Sequence, residues 1–551
     1  MIRIIALPCL LALLSFGAFA ESEPKPRFEV ADVHNSPHDI QPFVRGPFYS
    51  TGRYEFRFAT MLDLIRTAYN VDPEKIAGGP TWLEMDRFDV FAKIPSNSSA
   101  ESRRLMLQSL LADRFHLTMH EDNQPMPAYT LLPGKHSGLK ESDGSAPGGC
   151  NFKVENQPTA PPAPGTPIQL PTIVYTCKAT TMAGFASNML NIPGAAQYFN
   201  NVLVVDKSGI TGSYDFAFGF TPKFPATLKV VGEPTTFFEA IEKQLGMKLE
   251  LSTVPMPVHV VDKVDQKPTP NSAEAMKSFP PLPTEFEVAS LKPVDPSQTN
   301  RNAQPDIKNG RLYLPNFPVK VLIQVAFNIN GDELMSGAQK WMDEDRYDIL
   351  AKAPSEVAIG DLTPNRNTVP VNIDALRPML ANLIKERFKM EYHMETRPVT
   401  AYTLTAVKPK LTKSDPTSRT RWKEGPLPEN KGNKNANAAL GRLVTCQNVT
   451  MAQFAELLPG IAPGYLRTDV IDNTGLEGGY NFTFSFSPIG IVQQQQRQAA
   501  ANPAEAESAD TAAAISLFDS ISKQLGLKLE TVKRPMQVLV IDKIERKPTE
   551  N

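Results

Sequence analysis

The residues best suited to chemistry are two histidines, His116 and His120, which stand four positions apart. On a helix this spacing can hold a zinc ion. The segment alternates apolar and polar residues, however, and therefore favours a strand with both imidazoles on one face. Leu117 also occupies the position where a metalloprotease helix needs a glutamate. We interpret the two as exposed strand histidines and predict neither a metal site nor a cofactor.

Two carboxylates, Asp86 and Asp89, form a second candidate, because a pair of acids can act as general acid and general base. Arg87 lies between them and Lys93 follows them. These cations favour structural ion pairs at a strand edge over acid–base work. Trp82, just upstream, follows a glycine-containing bend and is expected to cover the core, with an aromatic contact in a groove as the alternative.

The loop Asp206–Gly212 is rich in glycine and resembles a phosphate-binding loop. Such a loop must open a helix, whose N-terminal amides meet the anion. This one leads instead into Tyr214–Phe218, an alternating segment typical of a strand. We therefore predict a tight turn whose glycines adopt positive φ.

Four landmarks recur in the same order along the chain, which indicates a tandem duplication. Phe28–Val33 returns as Phe286–Leu291, Trp82–Asp89 as Trp341–Asp348, Val205–Phe216 as Ile471–Phe482, and Val261–Val264 as Ile541–Ile544. The repeat predicts a first unit at 27–264, a linker at 265–284 and a second unit at 285–547. Two units also fit the 551 residues, because single cores stop growing at roughly 250–300 residues.

The second copy tests what the first suggests. His393 stands at the place of His120, but Lys389 stands at that of His116. Nucleophilic or metal catalysis shared by both units is therefore poorly supported, and we assign no catalytic residue. The chain also lacks a Gly-x-Ser-x-Gly elbow, a Cys-x-x-Cys pair, a dinucleotide fingerprint and a Walker loop.

A fainter repeat lies inside each unit. A shift of 130 carries Phe115–His120 onto Leu245–Glu250 and Pro125–Pro127 onto Pro255–Pro257, and a shift of 137 does the same in the second unit. Each unit would then hold two helix–strand–helix–strand–strand halves, with a hairpin-like connection at the prolines. The alternative is that any helix leading into a hairpin gives this pattern. The halves predict an α+β fold, in which helices pack on one face of antiparallel sheets.

The first 20 residues have the pattern of a signal peptide. Arg3 precedes an apolar run at 4–19 that ends in Ala18-Phe-Ala20. An uncleaved anchor is the alternative, but the run is shorter than the roughly 20 residues that a span requires. We predict cleavage after Ala20, export to the periplasm or beyond, and no membrane span in the mature chain.

Export permits disulfides. Cys150 and Cys177 flank a proline-rich segment of the first unit, and we predict that they bond to each other. Cys446 takes the place of Cys177 in the second unit, where the counterpart of Cys150 is missing. Cys446 is thus an unpaired thiol, either buried or available for an intermolecular bond.

Several motifs resemble one known family. They are Phe286-Glu-Val-Ala-Ser290, the Gly78-Gly-Pro-x-Trp82 bend, Leu110-Leu-Ala-Asp-Arg-Phe115 and Val205-Asp-x-Ser-Gly-Ile-x-Gly-x-Tyr-Asp-Phe216. Together they resemble the soil-associated family of exported bacterial proteins of unknown function, which is expanded in acidobacteria. The resemblance spans nearly the whole mature chain, twice, and implies no established activity. Some relatives are fused to membrane metallopeptidase sensors, which implies a sensing or envelope role; this chain lacks a zinc-protease segment.

We interpret the chain as an exported, non-catalytic binding or interaction module of the cell envelope or extracellular space. The expected partner is an unknown envelope protein, peptide or glycan. The formal charge of −2 offers no electrostatic footprint for nucleic acid. A hydrolase that uses Asp86, Asp89 or His120 is one alternative, and a structural or scaffold protein crosslinked through Cys446 is another.

Overall fold

The computed structural model describes residues 25–549, apart from 51, 96, 135–137, 146, 157–167, 200–201, 224–229, 280, 296–303, 356, 358, 361–370, 427–440 and 502–513. The predicted signal peptide and its cleavage after Ala20 lie outside the described residues. Within the described part of the chain, no helix is both long and apolar enough to cross a bilayer.

The first unit alternates strands with short helices. Its strands are β1 (Ala31–Asn35), β2 (Arg45–Ser50), β3 (Arg53–Thr60), β4 (Ile76–Gly78), β5 (Arg87–Lys93), β6 (Thr118–Pro133), β7 (Lys140–Glu141), β8 (Gly149–Glu155), β9 (Ile168–Gln169), β10 (Thr172–Thr180), β11 (Val204–Asp206), β12 (Tyr214–Phe220), β13 (Val230–Val231) and β14 (Met247–Lys263). Its helices are α1 (Met61–Tyr69), α2 (Ala100–Phe115), α3 (Met182–Asn188), α4 (Ala196–Phe199) and α5 (Phe237–Leu245), with 3₁₀ turns at Pro73–Lys75, Thr81–Glu84 and Met189–Asn191.

The second unit follows a short helix, α6 (Ala273–Lys277), and repeats the plan. Its strands are β15 (Val288–Pro293), β16 (Asp306–Lys308), β17 (Arg311–Pro318), β18 (Met335–Ser336), β19 (Arg346–Lys352), β20 (Glu391–Ala406), β21 (Thr412–Lys413), β22 (Arg421–Pro426), β23 (Arg442–Val449), β24 (Val470–Asp472), β25 (Tyr480–Phe486) and β26 (Leu527–Lys543). Its helices are α7 (Val319–Ala326), α8 (Trp341–Glu344), α9 (Ile373–Arg387), α10 (Met451–Ile461), α11 (Ile489–Ala501) and α12 (Leu517–Ser520), with a 3₁₀ turn at Asp332–Leu334 and a π-helical turn at Ile521–Leu525.

Each unit has two halves, and each half is built on one four-stranded antiparallel sheet. In half A the strand order is β1-β5-β3-β2, and the second unit matches it with β15-β19-β17-β16. In half B the order is β7-β12-β10-β8, matched by β21-β25-β23-β22. Apolar residues of α1 and α2, such as Leu64 and Leu111, pack with Phe56 of β3 into the half A core of the first unit. The α+β fold in two homologous units, predicted from the sequence, is confirmed.

A long two-stranded ribbon joins the halves of each unit. In the first unit it consists of β6 and β14, which pair antiparallel over their whole length. β11 of half B joins the far end of β6 and β4 of half A joins the far end of β14, both as parallel pairs. The halves therefore exchange strands: Leu131 of β6 packs into the half B core, whereas Val261 of β14 packs into the half A core.

The register of the ribbon shows that the two halves are related by a pseudo-two-fold axis. Pro125 lies opposite Pro255, and these are the two residues that the 130-residue shift equates. In the second unit Pro398 lies opposite Pro535, the pair that the 137-residue shift equates. An antiparallel pair of equivalent residues can lie only on such an axis, so the internal repeat is a property of the fold.

One expectation at these prolines was wrong. Pro125 and Pro127 do not form a hairpin-like connection; β6 runs straight through them. A proline cannot donate to the ladder, so it is tolerated in a strand where its nitrogen faces away from a partner. At the centre of the ribbon each strand has only one neighbour, which leaves such positions on the outer edge. Prolines there also keep foreign strands from adding to the ribbon.

Candidate functional site

Asp89, a candidate acid or base, is a buried structural acceptor. It lies on β5 with only 1% of its surface exposed. One of its oxygens accepts hydrogen bonds from the backbone N–H of Phe58 at 2.8 Å and from the hydroxyl of Ser36 at 2.6 Å. The other lies 3.4 Å from Nε of Arg57. Asp86 points elsewhere and accepts from the Gln266 amide at 2.6 Å, so the two carboxylates do not share a site.

The contact made by Asp89 occurs four times, once in each half. In every half the strand that precedes the first helix has a bulge containing a residue at positive φ, and a side chain of the neighbouring strand accepts from its N–H. The donor and acceptor pairs are Phe58 and Asp89, Ala179 and Asp215, Asn316 and Asp348, and Asn448 and Asn481, at 2.8 or 2.9 Å. Because an amide fills the role in the fourth half, the role needs a hydrogen-bond acceptor and not a titrating acid.

The environment of Asp215 agrees with this role. A hydrogen bond from Lys178, together with one from the backbone of Ala179, lowers its pKa to about 2. The group is therefore held as a carboxylate, which accepts hydrogen bonds and has no proton to donate near neutral pH.

The bulge places the first helix of each half. A threonine caps the first helix in three halves, accepting from a backbone N–H three residues later: Thr60 at the end of its bulged strand, and Thr181 and Thr450 directly after theirs. A capping threonine satisfies one of the otherwise unpaired donors of the first turn. Pro318 stands at the equivalent position of the remaining half and makes no side-chain cap.

His120 and His393 lie near the start of the ribbon strands β6 and β20, each paired with an aspartate. The expectation that His116 also lies on a strand was wrong, because it is the left-handed C-cap of α2. Nδ1 of His120 lies 2.8 Å from Asp262, and Nδ1 of His393 lies 2.9 Å from Asp542. Both imidazole side chains are more than half exposed. His116 instead contacts Asp265, so the two histidines of the first unit do not converge on one point. Among the residues that the structure describes, no cluster of three or more potential metal ligands occurs.

The glycine loop of each unit is a tight turn. Oδ1 of Asp206 accepts from the backbone of Ser208 at 2.9 Å, and Asp472 accepts from the backbone of Thr474 at 2.8 Å. Gly209 has φ +69°, a conformation that glycine adopts without steric cost. The loop precedes a strand and not a helix, so it lacks the row of N-terminal amides that a phosphate site requires.

The same pair of facing positions in half B holds two cysteines in the first unit and one cysteine in the second. Cys150 and Cys177 lie opposite each other on β8 and β10 and form a disulfide. In the second unit Cys446 lies opposite Trp422, whose ring packs on the core in place of the second sulfur. Cys446 is buried, and burial raises the pKa of its thiol to about 12.

A polar cluster between β2, β3 and α2 was not found from the sequence. The guanidinium of Arg103 stacks over the Tyr49 ring at 4.2 Å, and that ring lies 5.7 Å from the ring of Tyr54. Tyr54 is 1% exposed, yet neither its hydroxyl nor Nε of Arg103 has a hydrogen-bond partner. The equivalent residues of the second unit are all apolar: Ile307, Leu312 and Leu376. Comparing the two copies would have shown that these three positions differ, but not that they lie together.

The model of one family, described as proteins of unknown function (DUF3738), matches residues 62–264 and 320–544. The chain belongs to the DUF3738 family. Each match runs from the first helix of half A to the end of the second ribbon strand, so one DUF3738 unit comprises both halves. No curated protein and no solved structure matches the chain.

The two DUF3738 units meet through half A of the first unit. Arg45 and Arg57 bind Asp374 at the start of α9, at 2.7 and 3.0 Å. On the other side of the contact, Nη1 of Arg419 donates to the backbone oxygen of Ile76 at 2.7 Å. Glu84 pairs with both Arg419 and Arg421, and Met85 packs on the half B core of the second unit. Half A of the first unit therefore touches both halves of the second.

The glycine bend ahead of Trp82 helps to form the contact between the units, because it presents backbone carbonyls to Arg419. Gly78 has positive φ, and a Cβ there would lie 3.0 Å from the backbone oxygen of Val261. Gly337 at the equivalent place approaches Ile541 still more closely. The bend lets β4 lie against the ribbon and turns the carbonyls of Ile76 and Gly78 towards Arg419. Trp82 packs on the half A core beside Phe88, as a core-covering residue should.

Proposed function

We propose that the protein is an exported binding or interaction module of the cell envelope or extracellular space and does not act as an enzyme. The observation that carries the proposal is the fourfold bulge contact. It accounts for Asp89, the buried member of the candidate acid–base pair, and Asn481 serves in the same position without a titrating group. A residue whose role survives replacement of the acid by an amide is a structural acceptor.

Export is supported by two features. The sequence of residues 1–20 has the signal-peptide pattern, and Cys150 and Cys177 are joined in a disulfide, which persists in oxidising compartments and is rare in the cytosol. A binding role is further supported by where the two units differ: Arg103, Tyr49 and Tyr54 form a polar cluster in one unit, whereas the other unit has an apolar contact there. A polar set kept where the same fold accepts an apolar one supports a site on the first unit, because function lies in particular sites and not in the shared fold.

The test is a search for a ligand with the disulfide-bonded protein. We expect micromolar binding to at least one member of peptide and glycan arrays, or capture of one partner from an envelope extract of the organism that makes the protein. The control is the protein unfolded by reduction and heat, which should retain no partner. Absence of any ligand in both formats would contradict the proposal.

A hydrolase is the second candidate, because both units retain a histidine hydrogen-bonded to an aspartate, His120 with Asp262 and His393 with Asp542. An imidazole oriented in this way can act as a general base. Turnover of an ester, amide or glycoside panel that is lost together in His120→Gln and His393→Gln would favour this candidate. No turnover in the parent protein would exclude it for those substrates.

A further inference from the structure

The cluster around Arg103 in the first unit has two donors without acceptors. The hydroxyl of Tyr54 and Nε of Arg103 are buried and unpartnered, although the guanidinium also donates through Nη1 to the backbone oxygen of Ser98. A buried polar group without a partner costs about 1–3 kcal/mol. Native proteins rarely retain such a group unless a water, an ion or a ligand completes it.

The positive charge at this place is also uncompensated. Within the described part of the chain Arg103 has no carboxylate within salt-bridge distance, whereas its neighbour Arg104 pairs with Glu101. Arg103 lies in the first turn of the 16-residue helix α2, where the helix dipole already favours an anion and opposes a cation. An arginine placed there without a counter-charge raises the affinity of the site for a negative group.

Both unpartnered donors belong to side chains that contact the Tyr49 ring. Burial raises the pKa of Tyr54 well above its usual value, and the charge of Arg103 acts on the same phenol in the opposite direction. Tyr49 lies between them: its ring contacts the Tyr54 ring and carries the Arg103 guanidinium on its face. Tyr49 is 39% exposed, so the cluster opens to solvent along this ring.

The fold itself does not need these polar groups. The second unit builds the same contact of strand, strand and helix with three buried apolar residues, Ile307, Leu312 and Leu376. In that unit the start of α9 is covered by the first unit, through Asp374. In the first unit the start of α2 is exposed at Ser99 and Glu101. The unpartnered donors of Tyr54 and Arg103 therefore lie at the start of α2, which the second unit leaves exposed.

We propose that this cluster, formed by Tyr49, Tyr54 and Arg103, is a binding site for an oxyanion, either a carboxylate or a sulfate or phosphate group of the ligand. One anionic oxygen accepts from the Tyr54 hydroxyl and Nε of Arg103 together, and the Tyr49 ring forms one wall. The site deepens the binding role proposed above and rests on it, because it names the chemical class that the first unit recognises.

The test uses the full disulfide-bonded chain and follows thermal unfolding against sodium sulfate, phosphate or acetate, with sodium chloride keeping ionic strength constant. A bound anion at about ten times its Kd should raise the unfolding temperature by about 3 °C. We expect this rise to saturate in the parent protein and to vanish in Tyr54→Phe, which removes only the unpartnered hydroxyl. The salt that saturates distinguishes a carboxylate site from a sulfate or phosphate site.

Two further variants make the result decisive. Arg104→Leu removes an equal charge one residue away and should keep the saturable rise. The triple variant Tyr49→Ile, Tyr54→Leu and Arg103→Leu installs the apolar set of the second unit, so it should fold and lose the rise even if a single variant misfolds. An equal rise in the parent protein and in the triple variant, or no rise in any salt, would overturn the site.

The experiments distinguish a failure of the oxyanion site from a failure of the proposed binding role. A partner captured equally by the parent protein and by Tyr54→Phe, without an anion effect, removes the oxyanion site and leaves the binding role. A saturable anion effect without any captured partner retains the site and counts against the envelope partner.

Discussion

A comparison of the two units shows that some kinds of contact are kept and others have diverged. Contacts that satisfy the backbone are kept: the bulge acceptors Asp89 and Asp348 bind N–H groups in the same way in both units. Contacts between side chains have diverged, since a disulfide in one unit corresponds to Trp422 against Cys446 in the other. Unsatisfied backbone groups are costly wherever they are buried, whereas a core position accepts any set of side chains that fills it.

The same contrast holds at the contact between the units. Asp374 of α9 binds Arg45 and Arg57 of the first unit, whereas its equivalent in the first unit, Glu101, is exposed and pairs with Arg104 on its own helix. The contact is heterologous, because the two units use different surfaces. A heterologous contact can continue into rings or filaments only if the free surfaces are also complementary.

The largest expected effect comes from the bulge acceptors. Asp89→Ala should lower the free energy of unfolding of the first unit by roughly 3–5 kcal/mol, because it leaves the N–H of Phe58 without a partner and removes the carboxylate beside Arg57. Asn481→Ala in the second unit should lower it by about 1–3 kcal/mol, since a neutral acceptor is lost there. Denaturant unfolding monitored by fluorescence measures both.

The matched substitution Asp89→Asn separates structure from catalysis. The amide oxygen can still accept from Phe58, as Asn481 does for Asn448, so we expect most of the stability lost in the alanine variant to be regained. Equal destabilisation by asparagine and alanine would show that the charge, and not the acceptor, is what the first unit needs.

The disulfide gives the next effect. Cys150 and Cys177 close a loop with a sequence separation of 27, and a bridge of that span stabilises by roughly 3 kcal/mol in the chain-entropy model. A double Cys150→Ser and Cys177→Ser variant should therefore unfold at lower denaturant concentration in the first unit and leave the second unchanged. Reducing the parent protein should reproduce the shift; a shift of both transitions alike would show that the units unfold together.

The sequence predicted the α+β class, the doubling and the shift between halves, because all three depend on local patterns that recur. The shift even marks the axis: Pro125 and Pro255 are equated by sequence and lie opposite each other in the ribbon. The strand exchange was not predictable, since a strand pattern does not state which half it joins. The two prolines predict a hairpin-like connection because, in most sheets, a proline in a paired strand removes a ladder hydrogen bond; the ribbon instead continues through them.

The candidate sites also divide into those that local sequence predicts and those that only the fold brings together. The turn at Asp206 followed from its glycines and the strand after it. The cluster of Tyr54 and Arg103 was not found, because these residues are 49 positions apart and no motif links them. The contact of Arg45 with Asp374 spans 329 positions, and only the folded arrangement of both units brings such residues together.

Removing a charge at the contact between the units should change stability less than the substitutions above. Asp374 at the start of α9 and Glu101 at the start of α2 allow a direct comparison. Asp374→Asn should destabilise by about 2 kcal/mol, because Arg45, Arg57 and Arg377 lose their shared, largely buried partner. Glu101→Gln, its counterpart in the first unit, breaks one exposed pair and should change stability by less than about 0.5 kcal/mol. Equal effects in denaturant unfolding would mean that the contact between the units contributes nothing through this carboxylate.

The smallest effect concerns the unpaired thiol and appears only in alkali. Burial raises the pKa of Cys446 to about 12, whereas the thiol of an unfolded chain ionises near 8.5. The unfolded state therefore releases its proton first, so the contribution of the protonated thiol is complete below about pH 8.5 and is lost as the pH rises towards 12, by about 1.4 kcal/mol per pH unit. Relative to Cys446→Ala, which has no thiol, the parent protein should lose stability between pH 9 and 10.

The same burial predicts that the native thiol neither reacts nor crosslinks, because the thiolate is the nucleophile. Iodoacetamide at pH 8 should label Cys446 only after denaturation, and non-reducing gels of the native protein should show no dimer that disappears in Cys446→Ser. Such a dimer would show that half B of the second unit opens in solution and would favour the scaffold alternative. Trp422 lies opposite Cys446 and packs on the core that contains it. Trp422→Ala should therefore open the core beside the thiol and turn a non-reactive cysteine into a reactive one.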